Sequence, residues 1–171
     1  MRNLILSAAV GAACSSAASA SPQDSSLRSL EGSWVMVAAY EIKADGTRTT
    51  NYGEHPDGLM MVDGAGRYSI QIFRPDRAPF KAGTKAGADP QELRDAVIGS
   101  STHFGTVAID RRAHQLRFHI AAASFPNWNG QTQVRDFSYS GGVLTYRVPA
   151  AASGNGTIAY SVWRKASPKA R

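Results

Sequence analysis

The chain has 171 residues, a formal net charge of +6, 43% hydrophobic residues and 19% charged ones. This length suits one domain, and the apolar fraction excludes a wholly disordered chain. A single cysteine, Cys14, excludes an intrachain disulfide and a cysteine-built metal site.

The N-terminus reads as an export signal over residues 1–20. Arg2 supplies a positive charge and Leu4 to Ala13 an apolar run too short to span a bilayer. Ala18-Ser19-Ala20 offers small residues for cleavage after Ala20. The expected location is therefore periplasmic or secreted. The alternative is lipoprotein processing at Cys14, although Gly11 stands where leucine is usual; this would give a lipid anchor without a transmembrane span. Residues 21–26 are polar and read as a flexible lead-in.

From 27 to 165 the chain reads as one domain of short β-rich runs between glycine and asparagine turns. Ser33 to Lys43 is a strand ending at Ala44-Asp45-Gly46, and Thr47 to Thr50 is a short return. Leu59 to Val62 and Arg67 to Arg74 flank the hairpin signal Asp63-Gly64-Ala65-Gly66. In the second of these runs Tyr68, Ile70 and Ile72 share one face.

Asp89 is a suitable N-cap, Pro90 fits the first helical position, and Glu92 completes a capping box. Leu93, Ala96 and Val97 then form one apolar helical face. So short a helix is expected to pack over one end of the sheet.

His103 to Asp110 follows, then Gln115 to Ala121, where Leu116, Phe118 and Ile120 alternate with Arg117 and His119. Thr132 to Tyr139 and Val143 to Val148 are joined through Ser140-Gly141-Gly142, and Thr157 to Trp163 closes the series. The runs amount to an all-β chain. They predict an antiparallel up-and-down β-barrel of about eight strands with one short helix. Residues 166–171 read as a solvated basic tail. No aromatic-basic pattern points to nucleic acid.

Several blocks carry a resemblance. Gly32-Ser33-Trp34 at the first strand resembles the Gly-x-Trp motif of lipocalins, and the resemblance implies a tryptophan packed across the barrel bottom against an arginine near the last strand, here Arg164. Gly66 to Ile72, Arg74 to Phe80, His103 to Thr106 and Ser124 to Arg135 follow in matching order. Together they look like the lipocalin-like domain family of bacteria and fungi, over about Leu27 to Lys165. The chain lacks the Thr-Asp-Tyr motif and the disulfides of lipocalins proper.

Individual residues leave alternatives open. Arg74 and Arg77 flank a proline turn. They are either a cationic rim for a carboxylate or phosphate, or local partners of acids such as Asp76. Phe125-Pro126-Asn127-Trp128 either lines a pocket mouth or plugs the barrel end. Gln133 and Arg135 share a face; if it is inward, the arginine must find a partner or bind an anion. His103 is a candidate acid or base, or is merely hydrogen-bonded. With no His-x-His, no His-Glu-x-x-His and no P-loop spacing, neither a metal nor another cofactor is expected.

The functional reading is an exported barrel that binds a small hydrophobic or amphipathic molecule, with an anionic one among the options. Its candidate ligand-binding residues are Tyr68, Ile70, Ile72, Arg74, Arg77, His103, Phe118, Asn127, Trp128 and Arg135. Two other readings stand beside it: an isomerase or cyclase acting on a hydrophobic substrate in the cavity, and a barrel filled by its own side chains.

Overall fold

The computed structural model describes residues 29–148 and 156–167. The expected signal segment, Cys14 and the end of the basic tail lie outside the described residues. The strands are β1 (Gly32–Ile42), β2 (Arg48–Thr49), β3 (Asp57–Val62), β4 (Arg67–Phe73), β5 (Ser100–Asp110), β6 (Gln115–Ala123), β7 (Thr132–Ser140), β8 (Val143–Val148) and β9 (Ile158–Lys165). One helix, α1 (Pro90–Ile98), and a 3-10 turn, Pro126–Trp128, interrupt them.

Every pairing is antiparallel, and β1 pairs with β9 as well as with β3. Eight strands therefore close into a barrel, and the two-residue β2 lies beside β1. Closure pairs β1 with β9, the two long strands that would otherwise be the edges of the sheet.

The two ends differ. At one end the connections are tight. Asp63 Oδ1 accepts the backbone N–H groups of Ala65 (3.0 Å) and Arg67 (2.9 Å), which pins the β3–β4 hairpin. Gly141 and Gly142 have φ of 57° and 78°, the left-handed pair a two-residue hairpin needs. This end is filled: Trp34, Met60, Leu116, Leu144 and Trp163 are all fully buried. Burying one tryptophan contributes roughly 4–6 kcal/mol of transfer free energy.

Trp34 Nε1 donates to the Leu30 carbonyl at 2.7 Å, which fastens the incoming chain across the bottom. The cation over the indole is Lys165, with Nζ 5.6 Å from the ring centroid. Arg164, expected there, is exposed and pairs in register with Val35, on the outward side of β9. Trp34 is opposite Lys165, so the register places the lysine at the barrel end.

Alternation decides the inward face as expected on β4 and β6. Tyr68, Ile70 and Ile72 are buried, as are Leu116, Phe118 and Ile120. Two irregularities re-aim side chains at the other end. The register of β1 against β9 shifts between Met36 and Ala38, after which Ala39 is buried and Glu41 faces the interior. The pairing of β5 with β6 shifts at Phe104/Gly105. There the backbone closes on Gly105: an added Cβ would lie 2.0 Å from the His119 carbonyl oxygen. A residue without a side chain is required at that approach.

Candidate functional site

The longer connections gather at the open end: β2–β3, β4 through α1 to β5, and the 3-10 turn between β6 and β7. Beneath them lies a cavity of about 290 Å³. Ile72, Ser101, His103, Trp128, Arg135 and Tyr146 reach into it, while Glu41, Tyr52, Val97, Ile98 and Phe125 stand around its mouth. The barrel is thus filled in its lower half and hollow in its upper half.

Arg135 decides the character of this space. Strand alternation on β7 turns Gln133 and Arg135 inward together, and Arg135 is only 1% exposed. Its Nε and Nη2 donate to Gln133 Oε1 at 3.2 and 2.7 Å. The guanidinium lies 4.4 Å from the centroid of Phe118, 5.2 Å from Tyr146 and 5.8 Å from Trp128. Aromatic faces and a hydrogen bond with Tyr146 favour the charge, while burial opposes it and pulls the pKa below its ordinary value. A guanidinium nevertheless stays charged in a protein.

Among the described residues no carboxylate forms an ion pair with it. The ion pairs Asp63–Arg67, Arg74–Asp76 and Asp136–Arg147 lie away from it, towards the surface. Gln133 Nε2 is also buried with no hydrogen-bond partner. A buried charge without a counterion is unfavourable unless something else supplies the opposite charge.

His103 stands beside it. Tyr68 Oη and His103 Nδ1 share a 2.8 Å hydrogen bond. The imidazole packs edge-on to Tyr68, Phe118 and Trp128, with centroids 5.3, 6.1 and 5.6 Å away. Burial, and secondarily the positive charge of Arg135, push the His103 pKa down to about 3. Burial raises the Tyr68 phenol above its usual value. The pair is therefore a neutral imidazole bonded to a neutral phenol at physiological pH.

The residues expected at the site divide. Ile72, His103, Trp128 and Arg135 line the cavity. Tyr68, Ile70 and Phe118 are buried, with Tyr68 and Phe118 forming an aromatic layer, 5.0 Å between centroids, against His103 and Tyr146. Arg74, Arg77 and Asn127 are not brought to the cavity. Arg74 Nε lies 2.9 Å from Asp76 Oδ1, an ion-pair distance without hydrogen-bond geometry. Arg77 donates to the Arg74 carbonyl at 3.1 Å and lies 4.6 Å over the Phe73 ring. The exposed Asn127 offers its carbonyl to Gln131 Nε2 at 2.7 Å. Local partners thus hold all three in the loops.

Tyr146, Ser101, Ser161, Tyr52 and Glu41 were not foreseen at the cavity. Tyr146 was within reach of the alternation of Leu144, Tyr146 and Val148, all buried. Glu41 was not, because the β1 irregularity reverses the faces beyond Met36. Among the described residues no cluster of His, Cys, Asp or Glu has the makings of a metal site. No described helix is long and apolar enough to cross a membrane.

The lipocalin-like domain model matches residues 31–166. The chain belongs to that family. Among solved structures it is similar to a lipocalin-like protein from Bacteroides uniformis ATCC 8492. The identity is 14% and the TM-score 0.41, over 80% of this chain and 98% of that one. No curated protein sequence matches. The lipocalin-like domain of this chain thus combines a filled lower barrel with a half-open, largely apolar upper chamber that holds one buried charge.

Proposed function

We propose that this lipocalin-like protein binds a small amphipathic molecule through an anionic group set on Arg135. The observation that carries the reading is the fully buried guanidinium, facing a cavity and lacking a carboxylate partner among the described residues. A carboxylate or phosphate there would accept charge-assisted hydrogen bonds in a low-dielectric site. Aromatic and aliphatic walls from Ile72, Trp128 and Tyr146 suit the apolar part of such a ligand.

The same chemistry weighs against proton-transfer catalysis. A histidine held neutral down to about pH 3 is a weak proton acceptor at neutral pH. It serves better as a hydrogen-bonding wall. We also propose export to the periplasm or beyond, on the N-terminal residues 1–20.

The test compares decanoate with decanol by isothermal titration calorimetry on the wild-type protein and on Arg135→Met. Wild type should favour the carboxylate by about 10- to 100-fold, the range for a hydrogen bond to a charged group. Arg135→Met should abolish that preference. Equal affinity for acid and alcohol in the wild type would refute the reading. Native mass spectrometry of protein purified from its own compartment should then show an anionic adduct.

A further inference from the structure

Helix α1 is held by its ends, and its apolar side is left open. Asp89 Oδ1 accepts the Glu92 N–H at 2.9 Å, and Glu92 Oε2 accepts the Asp89 N–H at 3.1 Å. Glu92 Oε1 also takes the Lys81 N–H at 3.0 Å, and Ser100 Oγ donates to the Ala96 carbonyl at 2.8 Å. Yet no residue of α1 is buried: Leu93 is 41% exposed, Val97 62% and Ile98 57%. A nine-residue helix is too short to persist without packing, and here the packing is incomplete.

The open side faces the cavity mouth, which Val97 and Ile98 line. Phe125, beside the 3-10 turn, also lines the mouth and is 42% exposed. Its ring lies edge-on to Trp128 at 5.8 Å, and Trp128 contacts both His103 and Arg135. An apolar path thus leads from the buried charge to the surface.

The path has a polarity. The charge is at the closed end and apolar side chains are at the open end.

We propose that the ligand enters head first, its anionic group on Arg135 and its apolar tail leaving the barrel between α1 and the 3-10 turn, across Val97, Ile98 and Phe125. This rests on the anion reading above and adds the ligand class: a single-tailed acid longer than the cavity. At ~30 Å³ for a water-sized group, the cavity holds about ten such groups, the size of octanoate. Methylenes beyond that length run outward along Val97, Ile98 and Phe125, which bound the mouth. There they gain from burial against surface that is otherwise exposed.

The experiment is calorimetric titration of the full exported chain with octanoate, decanoate and dodecanoate below micelle-forming concentrations. The same titrations use the triple variant Val97→Ser/Ile98→Ser/Phe125→Ser. Wild-type affinity should rise about fourfold per methylene, the equivalent of ~0.8 kcal/mol, through to dodecanoate. The rim variant should lose about threefold on octanoate and more than about tenfold on dodecanoate. A wild-type gain that stops at octanoate, or an equal loss at both lengths, overturns the tail path while leaving the anion site standing. Failure of every acid to bind, or full octanoate affinity in Arg135→Met, overturns the anion reading and the tail path with it. A ligand-free dimer in sedimentation that the rim variant dissolves would assign the rim to a second copy and also overturn the path.

Discussion

Gln133 Oε1 receives two N–H bonds from Arg135, at 3.2 Å from Nε and 2.7 Å from Nη2. The two residues are neighbours on one face of β7, so the strand itself sets their spacing. This contact orients the guanidinium but leaves its charge uncompensated, and leaves Gln133 Nε2 without a partner. Both features are unfavourable to folding, and the uncompensated guanidinium, which lines the cavity, is suited to an anion.

The first prediction follows from that opposition. Replacing a buried ionic or polar group with apolar residues of similar volume is often neutral or stabilising by about 1–4 kcal/mol. Gln133→Leu/Arg135→Met should therefore raise the thermal midpoint of the ligand-free protein while removing its preference for acids over alcohols. A double variant that unfolds at lower temperature than the wild type would show that the pair holds the barrel together by itself.

His103 gives a prediction in pH. Unfolded, it takes a proton below about pH 6.5; folded, it resists to about 3. Between those values the unfolded state binds more protons, so stability present above pH 6.5 is lost as the pH falls. One such group contributes a slope of about 1.4 kcal/mol per pH unit. Its titratable or charged neighbours, Tyr68 and Arg135, do not titrate in that window. Hydrogen bonds and charge from Arg67 and Arg147 hold the Asp63 and Asp136 carboxylates below their usual range, so their losses come at lower pH and are common to wild type and variant. His103→Gln should flatten the decline of thermal midpoint between about pH 6 and 4.5. Parallel declines in the two proteins would show that His103 does not carry the acid sensitivity.

Trp128 offers an optical readout. The chain has three tryptophans; Trp34 and Trp163 are fully buried at the filled end, and only Trp128 lines the cavity. Titration with decanoate should therefore shift tryptophan emission in the wild type, and Trp128→Phe should lose the shift while retaining the emission of the other two. A shift that survives in Trp128→Phe would place the ligand elsewhere.

What the sequence made legible depended on how local the determining physics is. Period-two alternation on β4 and β6 is local, and it gave the inward faces of Tyr68, Ile70, Ile72 and Phe118. The capping box at Asp89 and Glu92 is local too, and α1 begins there. Residue type alone was misleading for Arg74 and Arg77, whose partners Asp76, Phe73 and the Arg74 carbonyl lie within a few residues. Glu41 was hidden by the shift between Met36 and Ala38, which arises from pairing with β9 at the far end of the chain. The same long-range pairing sets Lys165, not Arg164, over Trp34.

The last prediction separates the helix from the barrel. Removing the N-cap with Asp89→Ala should weaken α1 by about 1 kcal/mol, which corresponds to about fivefold faster amide exchange from Leu93 to Val97. Because no α1 residue is buried, the global thermal midpoint should barely move. Hydrogen exchange by mass spectrometry and a thermal melt measure the two effects on the same sample. A large drop in the global midpoint would mean that α1 is an integral part of the barrel core. Dodecanoate should slow the exchange of this segment, because its tail covers Val97 and Ile98; the shorter octanoate should slow it much less.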